Sequence, residues 1–245
     1  MKQIRSFILV CFLFAESIWG ANLPNYITKC SLSDESFSKC AISSANKAIS
    51  RIVKGDKKYK IQNLDPIIIP EVKFEVNSNS RLILNNVTTS DLKNIKVTEF
   101  SLDPVKKTLE IQGVIDRLEM ISNYDALGVL LSIPIKGNGK GNTTIVEGSY
   151  TYRANYTLKP KHNEEYLEIT SRKFDFKSKR TYFYMDKLFR DNQQLNDEFN
   201  KNLNENWDVI AKDAFPFFGS VMESVTESVL NGIFKNVPFK DIFLP

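Results

Sequence analysis

Residues 192–236 read NQQLNDEFNKNLNENWDVIAKDAFPFFGSVMESVTESVLNGIFKN, and the spacing of their apolar positions decides how the rest of the chain must be arranged. Leu195, Phe199, Leu203 and Trp207 follow one another at four-residue steps. Ile210, Ala214, Phe218, Met222, Val225, Val229 and Ile233 prolong the stripe at steps of three and four. That is the period of a helix face rather than of a strand. Asp197, Glu198, Lys201, Asn204 and Asp208 fall on the opposite side. A helix of this length would run roughly 68 Å, whereas a compact sphere of about 225 residues is only about 44 Å across. The helix therefore either breaks or makes the molecule long. Pro216 is the expected weak point, and because the stripe holds its phase across it, the sequence predicts a kinked but continuous rod. Other elements must wrap such a rod to bury its stripe.

Upstream of the rod the period changes to two. Val72, Phe74 and Val76 alternate with Lys73 and Glu75; Leu109, Ile111 and Ile115 alternate with mostly polar neighbours; Val129, Leu131, Ile133 and Ile135 line one face of a further run. Within 146–158, Val146, Tyr150, Tyr152, Ala154, Tyr156 and Leu158 share one face and Glu147, Thr151, Arg153 and Asn155 the other. These patterns predict half-buried antiparallel strands. Lys136–Asn142, with glycine at every second position from 137 to 141, lacks the Gly-Lys-Ser/Thr ending of a phosphate loop and predicts a hairpin turn between two of them. A shorter amphipathic helix is expected between Ser33 and Gly55. Ser33 or Asp34 would cap it, Phe37, Ala41, Ala45, Ile49 and Ile52 would supply its buried stripe, and Gly55 a left-handed stop. The class is α+β. No repeat or long linker divides the chain, so one domain is expected over 21–245.

Residues 1–20 begin with Lys2 and Arg5, run through an apolar core from Phe7 to Ala15 and end in Gly20, the layout of a cleaved secretory signal. The apolar core falls short of the ~20 residues of a membrane span and is followed by Glu16, which makes a retained anchor the poorer reading. Secretion into an extracellular fluid is expected. It removes Cys11 and leaves Cys30 and Cys40, which an oxidising compartment should pair. Closing that loop of about 11 residues contributes roughly 2.8 kcal/mol in the chain-entropy model, enough to clamp one helix but not to hold a domain. Two cysteines and His162 fall short of a tetrahedral set, so no metal is expected.

With 33 basic and 29 acidic residues the net charge is +4, and both signs are scattered, which gives nucleic acid no stripe to follow. Three acceptor sequons, at Asn86, Asn142 and Asn155, are candidate glycan sites in a secreted chain. His162 lies in a polar Lys-Pro-Lys-His-Asn-Glu-Glu segment between strands, the place of a solvated loop histidine. Without a free mature thiol, a Gly-x-Ser-x-Gly elbow or a histidine cluster, neither an enzyme nor a cofactor is expected.

Three further stretches carry a resemblance. They are Asn63-Leu64-Asp65-Pro66-Ile67, Leu131-Ser132-Ile133-Pro134-Ile135-Lys136-Gly137-Asn138-Gly139 and Asn202-Leu203-Asn204-Glu205-Asn206-Trp207. Together with the close pair Cys30 and Cys40, they make the whole mature chain resemble the insect takeout and haemolymph juvenile-hormone-binding proteins, small secreted carriers of apolar ligands. The resemblance implies a long C-terminal helix embraced by a strongly curved antiparallel sheet around an internal apolar tunnel, the tubular lipid-binding type of fold. The second disulfide of the hormone-binding branch has no cysteines here, which inclines the likeness toward the takeout branch.

What the resemblance implies about function is a monomeric carrier of a terpenoid, fatty acid or juvenile-hormone-like molecule in haemolymph or another body fluid. Feeding, circadian or chemosensory physiology and a receptor for the loaded form come with it. The walls of the implied tunnel are expected where Leu131, Ile133, Tyr150 and Tyr152 of the sheet meet Phe199, Leu203, Trp207, Phe218, Met222 and Val225 of the helix. The alternative is a secreted interaction or signalling protein whose interior is filled by its own side chains, since stripe residues of this kind more often pack a core than wall a ligand. A helix stripe laid on a membrane would leave the apolar strand faces without a partner.

Overall fold

A computed structural model of the chain describes residues 21–245 apart from 78–79, 162 and 190–191. The leader 1–20 and His162 lie outside the described residues. In chain order the elements are β1 (Cys30–Ser31), α1 (Phe37–Ile52), β2 (Ile67–Asn77), β3 (Ser80–Ser90), β4 (Lys96–Asp103), β5 (Thr108–Leu130), β6 (Ile133–Lys161), β7 (Glu164–Met185), α2 (Gln193–Glu205), α3 (Trp207–Phe234), α4 (Phe239–Ile242) and β8 (Phe243–Leu244). The antiparallel sheet runs β2-β3-β5-β6-β7. Strand β5 pairs with β4 over 108–114 and with β3 over 119–127, so two shorter strands lie end to end along one long one.

The length of the central strands forces curvature. Twenty-nine residues of β6 would reach roughly 96 Å if straight, and strands of this length twist and coil instead. Burial shows where the inner face turns over. Ile115 and Leu118 of β5 are both buried although three residues apart, and so are Ile145 and Gly148 of the adjoining β6. Regular alternation would put each such pair on opposite faces. Glu147, at φ +49, supplies the local irregularity. It also corrects the strand phase expected from sequence: Ile145, not Val146, faces the interior before it, while Tyr150, Tyr152, Ala154 and Tyr156 face inward after it.

The glycine-rich stretch is not the turn. Residues 136–142 lie inside β6, paired with 121–127 of β5, and the hairpin is closed by Leu131 and Ser132, both at positive φ. Val129, Leu131, Ile133 and Ile135 are therefore not one strand face. The reason for the glycines is close approach: a Cβ on Gly137 would collide with the backbone of Leu188, and one on Gly139 with Asp186.

The C-terminal rod divides, and not at Pro216. Asn206, at φ −107 and ψ 28, separates α2 from α3, while α3 passes through Pro216. The carbonyl of Asn204, which a continuous helix would give to residue 208, accepts instead from Arg180 Nη2 at 2.7 Å. Lys212, whose carbonyl would have bonded the missing N–H of Pro216, is an exposed residue on the outer side of the helix. The break also ends the ridge read from sequence. Phe199 and Leu203 are buried, but Leu195 is 39% exposed and Trp207 lies half-buried under the Arg180 guanidinium, 5.3 Å from its ring.

Helix α2 covers the open edge of the sheet, and asparagines do it. Asn196 accepts from Leu188 N at 2.9 Å and donates to Met185 O at 3.0 Å. Asn200 accepts from Met185 N at 2.8 Å and donates to Met185 O at 2.9 Å. Asn204 accepts from Phe183 N at 2.9 Å and donates to Phe183 O at 2.7 Å. Spaced by one helical turn, the three amides imitate a neighbouring strand and satisfy backbone groups that the edge strand β7 would otherwise leave open. Asn204 therefore belongs to this ladder and not to the solvent face.

At the other end, Cys30 and Cys40 form the expected disulfide, joining β1 to α1. Strand β1 pairs with β8 in parallel, so both ends of the described chain are tied to one place. Helix α1 starts later than expected, with Ser36 at its N-cap and no side-chain cap, although the Asp34 carboxylate accepts from Ser36 N at 2.7 Å. Gly55 does take the left-handed conformation, at φ +79.

Candidate functional site

Helix α3 runs along two apolar cavities placed one after the other. The first, of about 250 Å³, lies between α1, the sheet and the C-terminal half of α3; Ala41, Ala48, Ile111, Tyr150, Val225 and Ile233 are among its walls. The second, of about 260 Å³, is enclosed by β2, β3, the far halves of β5 to β7 and the N-terminal half of α3, with Val72, Leu84, Ile145, Leu203, Ala214 and Phe218 among its walls. Met222 lines both, and it is the one described residue that does.

Small side chains explain the first cavity. The inward face of α1 presents Ala41, Ser44, Ala45 and Ala48, where the stripe of an ordinary core helix would carry leucine or phenylalanine and fill the space. Ala41 and Ala45 already stand in the stripe legible in the sequence, and their small size is the signal of space beside them. Its polar atoms are largely occupied: Ser44 Oγ accepts from Thr28 N at 2.8 Å, and Thr226 Oγ1 donates to Met222 O at 2.8 Å. Tyr150 differs. Its ring stacks on Phe174 with centroids 5.6 Å apart, and its hydroxyl reaches the sheet backbone where a Cβ on Gly113 would strike it. The second cavity is more polar, with Arg81, Asn142, Thr181 and Asp213 on its walls. Arg81 makes a loose, half-exposed ion pair with Asp125 at 3.5 Å.

Of the residues expected to wall a ligand, Tyr150, Met222 and Val225 line the first cavity and Leu203, Phe218 and Met222 the second. Leu131, Ile133, Tyr152, Phe199 and Trp207 line neither. Leu131 and Ile133 pack at the hairpin against a second core built around Phe199 and Leu203. Tyr152 is fully buried away from both cavities, with its hydroxyl unpaired among the described residues. The walls given by α1, β2 and β3 were missed because they lie 80 or more residues from the helix they face.

Burial pushes the phenols of Tyr152 and Tyr156 up to about 12, and raises those of Tyr124 and Tyr150 as well. An unfolded tyrosine ionises near pH ~10. The fold thus favours the protonated phenol, a contribution fully present below pH ~10 and lost as the pH climbs through the folded values. The midpoint of urea unfolding should be level from pH 8 to about 10 and fall steeply between about 10 and 12; a midpoint unchanged across that window would contradict the burial of these side chains.

Among the described residues no helix is long and apolar enough to cross a membrane, and no group of three or more metal-binding side chains converges. Asn86 and Asn155 are exposed, whereas the Asn142 side chain lies on the wall of the second cavity and donates to Glu119 Oε1 at 2.8 Å.

The model of the haemolymph juvenile hormone binding protein family matches residues 7–244. Two proteins named circadian clock-controlled protein daywake are similar over most of the chain. The one from Drosophila melanogaster is 27% identical over 235 residues, covering 90% of this chain and 88% of its own. The one from Drosophila yakuba is 26% identical over 234 residues with the same coverage. Among solved structures, Takeout 1 of Epiphyas postvittana aligns with a TM-score of 0.78 at 21% identity, covering 89% of this chain and 100% of that one, a likeness of fold.

Proposed function

The chain belongs to the haemolymph juvenile hormone binding protein family, whose fold is that of a carrier of small hydrophobic ligands, and on that premise we propose that it is a secreted carrier of a terpenoid or fatty ligand held between the sheet and α3. The observation that carries the reading is the pair of cavities lined almost wholly by apolar side chains, space that a well-packed core does not leave. A protein selected only for a surface would fill such space with its own side chains, so the filled-core interaction protein is the weaker alternative.

The mechanism is burial without chemistry. A ligand of about fifteen carbons gains on the order of 12 kcal/mol at ~0.8 kcal/mol per CH₂. Association costs of at least ~4 kcal/mol leave about −8 kcal/mol, or micromolar binding. Tyr150, which lines the first cavity where Tyr152 does not, is the phenol proposed to meet a carbonyl, epoxide or carboxyl end. Glycans on such a protein fit Asn86 and Asn155 better than Asn142, whose side chain is engaged at a cavity wall. A monomer in an extracellular fluid, read by a receptor when loaded, completes the proposal.

The test is uptake of an environment-sensitive apolar dye by the purified protein, followed by displacement with farnesol or hexadecanoic acid. Saturable binding with displacement is expected, and a folded protein that takes up no dye would return the reading to the filled core. With Tyr150→Phe, affinity for a ligand bearing a carbonyl end should fall about 2- to 10-fold, the worth of one hydrogen bond, while a plain hydrocarbon should bind unchanged. Equal loss for both would take Tyr150 out of the ligand's polar contacts.

A further inference from the structure

The scatter of charge along the chain has one exception, and the fold gathers it at one end of the molecule. Residues 36–64 hold seven lysines and arginines against the single carboxylate of Asp56, a net +6 in a chain whose total is +4, so the rest of the chain is net −2. We propose that the outer face of α1 and the turn that follows it form a docking surface for an anionic lipid membrane. The inference goes beyond the carrier reading, and its test needs no ligand.

Local geometry presents these cations to one side. On α1, Ala41, Ser44, Ala45 and Ala48 face the first cavity, and the helical repeat turns Lys47 and Arg51 away from it, where both are exposed. Past the end of the helix Lys54, Lys57, Lys58 and Lys60 are exposed as well. None of these six makes an ion pair among the described residues. Asp56 is engaged elsewhere: its Oδ2 accepts from the Tyr26 hydroxyl at 2.8 Å and its Oδ1 from Lys58 N at 3.0 Å. Backbone bonds of 2.9 Å in both directions between Asp56 and Ile61 close the turn and fix the lysines in place. Lys235, exposed at the C-cap of α3, adds a seventh cation, because α3 ends against the same turn; a Cβ on Gly232 would stand 2.7 Å from Tyr59 O.

The composition of the patch favours a lipid surface over a polyanion of fixed pattern. Six of its seven cations are lysines, compact point charges on flexible stems that follow mobile headgroups, where a fixed array of phosphates or sulfates would call for the planar fork of arginine. They come from a helix side, a turn and a second helix end, and so form a patch rather than a track. Residues 36–64 expose no large apolar side chain, so attachment is electrostatic and stays at the headgroups. Since a helix is about 10–12 Å across, a membrane held on the outer face of α1 lies about one helix diameter from the first cavity.

The test is co-sedimentation of the purified protein with vesicles of phosphatidylcholine alone or with roughly 30% phosphatidylserine, in about 0.1 M and about 1 M NaCl. Binding is expected only with phosphatidylserine and only at the lower salt, because the screening length shrinks from ~10 to ~3 Å. At about fivefold per cation, the triple variant Lys47→Gln, Lys54→Gln, Lys57→Gln should lose roughly a hundredfold in partitioning. The control Lys96→Gln, Lys173→Gln, Lys179→Gln removes the same charge from lysines paired with Asp116, Asp175 and Glu147, and should stay within about threefold of the parent. Equal losses in the two variants would overturn the proposal in favour of a mere net-charge effect. A parent that ignores phosphatidylserine vesicles overturns it too, and retention of that parent on immobilised heparin would assign the patch to a polyanion instead. Uptake of apolar dye should be the same in all three proteins, so a failure of the carrier reading and a failure of docking show separately.

Discussion

Replacing Asn196 and Asn200 together by leucine is expected to destabilise the protein by about 5 kcal/mol, and more than the two single changes added. The reason lies in one shared acceptor. Met185 O receives both amide groups, so either asparagine alone keeps it satisfied. Asn196→Leu by itself orphans Leu188 N, and Asn200→Leu orphans Met185 N. Only the double variant adds the carbonyl. A buried backbone group left unpaired costs about 1–3 kcal/mol, so each single should cost about 2 kcal/mol and the pair should show a coupling of about 1 kcal/mol. Both asparagines are buried, at 1% and 7% exposure, so water has little access to repair the loss. Urea unfolding of the four proteins gives the cycle directly. Because the amides close the β7 edge, the double variant should also self-associate at concentrations where the parent does not. Additive singles would mean that the edge carbonyl finds another partner when the ladder is removed.

The second large effect is expected at Gly137. Valine there should cost about 3 kcal/mol or more, because its Cβ would land on the Leu188 carbonyl oxygen, with Leu188 C and Cα at 2.9 Å. Backbone cannot yield as a side-chain tip does. Leu188 is itself fully buried, and its N–H is held by Asn196. Gly141→Ala is the control: its new Cβ meets first a hydroxyl, Ser122 Oγ, at 3.2 Å, which can rotate away. That change should cost less than about 1 kcal/mol. Thermal unfolding of both variants separates the cases, and similar losses at the two positions would show that these glycines serve strand conformation rather than close approach.

The two expectations concern opposite sides of one joint. Residues 186–188 are gripped by the β6 glycines from one side and by the α2 amides from the other, and this joint aims the C-terminal helices along the sheet.

How much of this was legible beforehand follows from the kind of information each feature needs. Period and count are local, and they sufficed for the strands around 109–115 and 150–156, for α1, for the helical nature of 193–234 and for the pairing of Cys30 with Cys40. The resemblance carried by the Leu131–Gly139 and Asn202–Trp207 stretches led to the fold class. Where the helix breaks was not local: Pro216 looked decisive, but it sits on an exposed face of the helix that tolerates it, while Arg180, more than twenty residues away, takes the Asn204 carbonyl and ends α2. The asparagines of α2 read as a polar face because nothing in sequence distinguishes an amide in water from one bonded to a strand edge. The glycines of β6 read as a turn because what they make room for arrives about fifty residues later. The cavities were least legible of all. A void has no residues of its own; it exists where α1, β2, β3 and α3, distant in sequence, fail to meet, and only the packed chain decides that Met222 stands between two such spaces.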